Sequence, residues 1–282
     1  MTIIIDGNAT AQAVRDEAAA LVAQAKAAGV EPGLAVILVG DDPASATYVR
    51  MKEADCAEVG IRSFDLRRPA DISQDELNAL IDACNADDSI HGILVQMPLP
   101  RHLDEEQVIA RVSPVKDVDG FHPENLGNLM RGRPAPRACT PWGVIHLLAR
   151  YGIDVEGKRA VVIGRSNIVG KPMSIMLLEK NATVTTCHSR TKDLPAVCRE
   201  ADILVAAIGR ARMIDADYVK EGVVVVDVGI NRADDALVGD VDFETVAPLA
   251  SAITPVPGGV GPMTRAMLMK NTAEAALKVA RG

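Results

Sequence analysis

Tyr48 and Lys52 stand four residues apart in a stretch whose apolar residues recur at helical spacing, so one helix face presents a phenol and an ammonium about a turn apart. Such a pair can meet one ligand, and a lysine placed there can move a proton. The same spacing also fits a half-buried tyrosine beside a solvated lysine on an amphipathic helix. Gln96 breaks the apolar run Gly92 to Met97, and an amide in that setting must find hydrogen-bond partners, structural or otherwise. Asp117-Val118-Asp119-Gly120 follows Lys116 in an irregular stretch and reads either as a carboxylate site or as a β-turn. Pro255 to Pro262 is a rigid connector, or a segment whose glycines let the backbone approach a flat ligand.

The elements that would position these residues alternate in a βαβα pattern. Gly33 to Gly40 reads as a strand and Ser45 to Val59 as a helix closed by Gly60. A strand near Ser63 to Leu66 precedes Ser73 and Glu76, which stand at capping-box spacing for a helix to about Asn85. Gly92 to Met97 is apolar enough for the middle of a parallel sheet. Lys116 to Arg137, rich in Gly, Pro, Asn and Arg, reads as loop and domain crossing. Thr140-Pro141 looks like an N-cap followed by proline at the first position of a helix reaching about Tyr151. A second βαβ series begins at Arg159 to Ile163 and continues through Thr183 to Cys187, Ile203 to Ala206 and Val223 to Val228, ending near Ile253. Met263 to Val279 forms a last helix. The expected architecture is α/β, with two βαβ domains and a cleft between them. The first spans 1–138 plus 262–282; the second, 139–261, is of Rossmann type.

The strand Arg159 to Ile163 runs into Gly164-Arg165-Ser166-Asn167-Ile168-Val169-Gly170-Lys171-Pro172 and then helical spacing, the context of a dinucleotide turn at the positive end of a helix. Ser166 and Val169 stand where the second and third glycines of G-x-G-x-x-G belong, so the turn alone is equally an ordinary βα connection. The next strand is more telling. It ends in His188-Ser189-Arg190-Thr191, without the acid that binds a ribose 2′-hydroxyl, and with Arg165 this favours NADP over NAD.

Composition narrows the classes. With 282 residues, 48% of them hydrophobic, the chain can fill two cores. The 38 acidic against 30 basic residues give a net charge of −8 with no basic run, which argues against nucleic acid. No membrane-spanning stretch or secretory signal is evident, and Cys56, Cys84, Cys139, Cys187 and Cys198 are scattered without a C-x-x-C pair, so a cytoplasmic protein with buried thiols is expected. His91, His102, His122, His146 and His188 lack metal-ligand spacing, and no metal is expected.

Taken together, Tyr48-Val-Arg-Met-Lys52, Gly92-Ile-Leu-Val-Gln-Met-Pro-Leu-Pro100, Lys116-Asp-Val-Asp-Gly-Phe121, Gly164 to Pro172 and Pro255 to Pro262 resemble, in order and over nearly the whole chain, the methylenetetrahydrofolate dehydrogenase/cyclohydrolase family. The resemblance implies NADP-dependent oxidation of 5,10-methylenetetrahydrofolate to the methenyl cation. Hydrolysis of that cation to 10-formyltetrahydrofolate would follow, within one-carbon metabolism and in one cleft. It further implies that Lys52 is the acid/base residue, that Tyr48 lies against the folate ring, that Gln96 orients Lys52 and that Asp119 holds the pterin. Pro257, Gly258 and Gly259 would complete the substrate site. Gly164, Arg165, Ser166, Ser189, Arg190 and the backbone at Ile230 would hold NADP, and a homodimer would form through the nucleotide domain.

Physical chemistry agrees with those roles. A lysine normally titrates near about 10.4 and must be lowered to act as a base near neutrality. A neutral Gln96 suits that better than a carboxylate. Three alternatives remain open: a dehydrogenase-only relative, a carbonyl reductase using the Tyr48–Lys52 pair, and an NADP-binding regulatory module without turnover. The second is disfavoured because the pair precedes Gly164 by over a hundred residues.

Overall fold

A computed structural model describes residues 1–233 and 236–281. In chain order its elements are Ile3–Ile4 (β1), Gly7–Ala27 (α1), Gly33–Val39 (β2), Pro43–Val59 (α2), Arg62–Arg68 (β3), Gln74–Ala86 (α3), Gly92–Val95 (β4), Glu105–Arg111 (α4), Pro123–Met130 (α5) and Cys139–Arg150 (α6). Then come Arg159–Ile163 (β5), Gly170–Glu179 (α7), Thr183–Cys187 (β6), Leu194–Arg199 (α8), Ile203–Ala206 (β7), Val224–Asp227 (β8), Asn231–Ala233 (β9), Ala236–Val238 (β10), Phe243–Val246 (α9), Ala252–Ile253 (β11) and Val260–Ala280 (α10).

The chain forms two compact units. One holds Ala13–Arg137 with the chain from Arg265 onward; the other holds Met1–Gln12 with Ala138–Thr264. The first is built on a parallel sheet of order β3-β2-β4. Every residue of the central strand β2 is buried, as a parallel strand covered on both faces requires. Ala35, Ile37, Leu77, Ile81, Ile93 and Val108 form its main core. The second unit is built on a six-stranded parallel sheet of order β1-β11-β8-β7-β5-β6, with Val161, Ile163, Leu204, Val225 and Ile253 in its core. Its strand order reverses at β5, the switch point where such sheets place ligands.

Several expectations change. Residues 1–12 join the second unit, not the first, because β1 adds to the sheet edge: Ile3 N–H donates to Ser251 O at 2.9 Å and Ile5 N–H to Ile253 O at 2.8 Å. A two-residue strand carries no readable period. The stretch 116–137 is not all loop, since α5 lies within it, started by Pro123 at a first-turn position and by His122, whose side chain accepts from Glu124 N. Helix α6 begins one residue before Thr140, with Ala138 as its cap; Thr140 Oγ1 instead hydrogen-bonds Thr264 Oγ1 at 2.9 Å. Ser73 and Glu76 do form the capping box of α3. Among the described residues no helix is long and apolar enough to cross a membrane.

Candidate active site

Helix α2 is fixed at both ends. Asp42 accepts a hydrogen bond from Ser45 N at 2.7 Å, Pro43 occupies the first turn, and Gly60 closes the C-terminus with its N–H on Cys56 O. The helix places Tyr48 and Lys52 one turn apart; Tyr48 is 37% exposed and Lys52 partly buried. Strand β4 stops at Val95, so Gln96 lies just beyond its carboxyl end rather than inside it. Gln96 N–H still donates to Ile37 O at 2.9 Å, which anchors the residue to the neighbouring strand. Its amide is used twice: Oε1 accepts from Lys52 Nζ at 2.9 Å, and Nε2 donates to Met97 O at 2.6 Å. The second bond fixes which end of the amide faces the lysine.

The segment after α4 brings in the carboxylates. Ile93 N–H donates to Lys116 O at 2.8 Å and Asp117 bridges Ile93 in parallel, so this segment runs beside β4. Lys116 caps α3, donating to the carbonyls of Cys84, Asn85 and Asp87. Asp117 is buried and structural: it accepts from the N–H groups of Gly120, Phe121 and His122 and from Asn125 Nδ2. Asp119, two residues on, has the Lys52 charge in its surroundings. Loss of hydration pushes its pKa up to about 6, the Lys52 ammonium opposes that rise and the Asp117 charge adds to it. Lys52, Gln96 and Asp119 are therefore one electrostatic cluster.

In the other unit the turn after β5 is shaped chiefly by the backbone. Gly164 leaves β5 at φ +134°, and a Cβ there would lie 2.3 Å from Ala207 O. Gly170 opens α7, and its Cβ would lie 2.3 Å from Gly164 O. The close packing between strand and helix is thus made by Gly170, one position beyond the Val169 at which the standard pattern puts a glycine. Ser166 caps α7 from within the turn, its Oγ accepting from Val169 and Gly170 N–H at 3.2 Å and its carbonyl from Lys171 N–H at 3.0 Å. Arg165 is exposed beside the positive end of that helix. At the end of β6, Thr191 Oγ1 accepts from His188 N and turns the exposed Ser189 and Arg190 outward. The first acid after that strand, Asp193, is engaged in capping α8. A glycine cradle that Cβ atoms would fill, cations at both strand ends and no carboxylate from 188 to 192 fit a dinucleotide bearing a 2′-phosphate.

Two carboxylates that sequence reasoning missed shape the rest of this sheet edge. Asp227, at the end of β8, accepts from the N–H groups of Gly229, Asp240 and Val241, all at 2.9 Å. Burial pushes its pKa up to about 6 although those three donors pull it down. Asp240 accepts from the N–H groups of Ile208, Gly209 and Arg210 and from Asn231 Nδ2. Together they fix the loops after β7 and β8, and leave Ile230 47% exposed. The available signal was an acid directly after four valines, at a strand end. Pro257, Gly258 and Gly259 also belong to this unit and not to the one carrying Lys52. Gly7 N–H holds that loop through Gly258 O at 2.8 Å.

A lysine–amide–carboxylate cluster on one parallel α/β unit and a dinucleotide turn on a second define a nucleotide-dependent enzyme. Comparison with known proteins makes this specific. Family models for tetrahydrofolate dehydrogenase/cyclohydrolase match residues 5–119, as its catalytic domain, and 138–280, as its NAD(P)-binding domain. The chain is 53% identical over 283 residues to the bifunctional protein FolD 2 of Geobacter sulfurreducens, covering 100% of this chain and 99% of that protein. The crystal structure of the bifunctional enzyme FolD, methylenetetrahydrofolate dehydrogenase/cyclohydrolase, from Campylobacter jejuni is 50% identical with a TM-score of 0.97, covering 99% and 100% of the two chains. The Trypanosoma brucei methylenetetrahydrofolate dehydrogenase-cyclohydrolase, solved with NADP cofactor and inhibitor, is 38% identical with a TM-score of 0.95, covering 100% and 99%. The chain belongs to the tetrahydrofolate dehydrogenase/cyclohydrolase family.

Proposed function

We propose that this chain catalyses both NADP-dependent oxidation of 5,10-methylenetetrahydrofolate to 5,10-methenyltetrahydrofolate and hydrolysis of that product to 10-formyltetrahydrofolate. The observation that carries the second activity is the 2.9 Å bond from Lys52 Nζ to the neutral Gln96 Oε1. An amide acceptor holds the ammonium in place without fixing its proton as a carboxylate would. Having released its proton to solvent, Lys52 can take one from the water that adds to the methenyl carbon and return it to the ring nitrogen as the carbon–nitrogen bond breaks, while the remaining hydroxyl proton leaves to solvent as the formyl carbonyl forms. Tyr48 offers its ring face one helical turn away, suited to stacking on the planar folate. Asp119, near the middle of its titration at about pH 6, is suited to accept from the N–H groups of the pterin.

When bound, NADP accepts the hydride from the methylene carbon, and the chain's part is to place it. Gly164 gives the backbone room at the pyrophosphate, and Ser166 holds the turn. Arg165, Ser189 and Arg190 would recognise the 2′-phosphate, and the backbone at Ile230, in the loop fixed by Asp227 and Asp240, would help to hold the cofactor. Pro257, Gly258 and Gly259 offer a flat backbone surface for ligand binding. Five free, buried cysteines suit a reducing, cytoplasmic setting, and the homodimer rests on the family resemblance alone.

The test is to follow absorbance while the purified chain is mixed with methylenetetrahydrofolate and NADP. Formation of NADPH followed by loss of the methenyl species is expected. Formation of NADPH with the methenyl species persisting at its spontaneous decay rate would reduce the chain to a dehydrogenase.

A further inference from the structure

One turn along α2 from Lys52 lies a second set of charges. Asp55 is three residues on, with its side chain only 8% exposed, and its Oδ2 is 3.2 Å from Nη1 of Arg265 on α10, itself 17% exposed. That oxygen makes no directional hydrogen bond, so charge and not N–H···O geometry holds the pair. A buried ion pair is a poor device for stability, because apolar residues of the same volume commonly serve as well. Its placement beside Lys52 suggests another purpose.

The neighbourhood is nearly balanced. Asp55 feels the cations Arg265 from α10, Arg15 from α1 and Lys52 from its own helix, and the anion Glu58, also on α2. Arg15 and Glu58 pair with each other, Nε to Oε1 at 3.0 Å. Cys56 is packed against Met269, and burial pushes its thiol up to about 12, so it stays neutral. Glu53, next to Lys52 in sequence, faces Asp65 and Arg67 of β3 and Arg50. Asp119 supplies the remaining anion near Lys52. A lone buried carboxylate at Asp55 would hold Lys52 protonated and unable to serve as a base; a cation behind it removes that bias.

We propose that the buried Asp55–Arg265 pair is an electrostatic counterweight that keeps Lys52 able to release its proton during hydrolysis. Both are positioning residues, since they act through Lys52, and the proposal rests on the acid/base assignment of that lysine. It predicts opposite effects from the two halves of the pair, which a packing role would not.

The experiment measures methenyltetrahydrofolate hydrolysis against pH, with the rate without enzyme subtracted, for wild type, Asp55→Asn, Arg265→Met, Arg265→Lys and the double variant Asp55→Asn/Arg265→Met. The limb on which the rate rises with pH should move toward acid by about one unit in Asp55→Asn and toward alkali by about one unit in Arg265→Met. The double variant and Arg265→Lys should keep the wild-type limb. Unmoved limbs in folded single variants, or equal losses at every pH, overturn the counterweight. If one single variant fails to fold, the other decides, because an unmoved limb in it contradicts the proposal and a shift in the stated direction supports it, while a shifted limb in the double variant contradicts it. Lys52→Met in the same assay separates the two levels. Hydrolysis retained there overturns the role of Lys52, whereas hydrolysis lost there with unmoved limbs elsewhere overturns only the counterweight.

Discussion

In the unit built on β2, β3 and β4, the atoms we propose to meet a ligand belong to side chains: the Lys52 ammonium, the Gln96 amide and the Asp119 carboxyl. In the unit built on the six-stranded sheet they belong chiefly to the backbone. Gly164 and Gly170 set the shape of the turn, and Asp227 and Asp240 spend their oxygens on loop N–H groups. The difference teaches what each site should tolerate. A side-chain site is sensitive to substitutions that keep shape and change chemistry. A backbone site is sensitive to a single added carbon and less so to side-chain identity.

The largest expected effect is on the first site. Lys52→Met, close in length but unable to carry a proton, should lower hydrolysis by about a thousandfold, within the range for loss of a general acid/base. NADPH formation should fall far less, which comparing both rates on one preparation would reveal. Next comes the backbone site, where Gly164→Ala puts a Cβ 2.3 Å from Ala207 O at a φ that L residues rarely adopt. NADP binding, measured by titration calorimetry, should weaken at least about tenfold, a cost of roughly 1.4 kcal/mol. If Gly164→Ala bound NADP normally, the turn would not be the cofactor cradle and the comparison would fail.

Gln96→Glu sharpens the contrast, since it preserves shape and adds a charge. The new carboxylate would hold Lys52 protonated, so hydrolysis should fall by about tenfold at neutral pH and recover as pH rises. An unchanged pH profile would mean that Gln96 does not act through Lys52. The smallest effect concerns stability. The folded-state pKa of Asp227, about 6, lies above the ordinary carboxylate value, so the folded chain holds a proton that the unfolded chain releases. That contribution is fully present below about pH 4 and is lost as pH rises through about 6. Asp227→Asn should flatten the change of apparent melting temperature over this window; an unaltered slope would show that Asp227 does not titrate there.

What could be read in the sequence follows the same division. Local signals placed Tyr48 and Lys52 on one helix face and marked Gln96 as an amide in need of partners, but left their roles open; only the resemblance carried by several blocks together implied those roles. The strands Thr183–Cys187 and Ile203–Ala206 were legible as β-branched and apolar runs, although only Ile203–Ala206 is buried throughout; Thr183–Cys187, at the sheet edge, is exposed along most of its length. The stretch containing α5 was not, because its glycines and asparagines mask a short helix started by Pro123. β1 was hidden because two residues pair only through a strand about 250 residues away, at Ala252–Ile253. The backbone N–H groups that Asp227 and Asp240 engage come from loops that only the fold brings together. Asp55 and Arg265 lie over two hundred residues apart, and nothing in either neighbourhood announces the other.

The most direct test of this division is hydrolysis of methenyltetrahydrofolate in the absence of any nucleotide, measured for Lys52→Met and Gly164→Ala beside wild type. Gly164→Ala should hydrolyse the substrate at close to the wild-type rate, whereas Lys52→Met should not. Loss of hydrolysis in a folded Gly164→Ala, or its survival in Lys52→Met, would contradict the assignment of the hydrolytic chemistry to the side chains of the first unit.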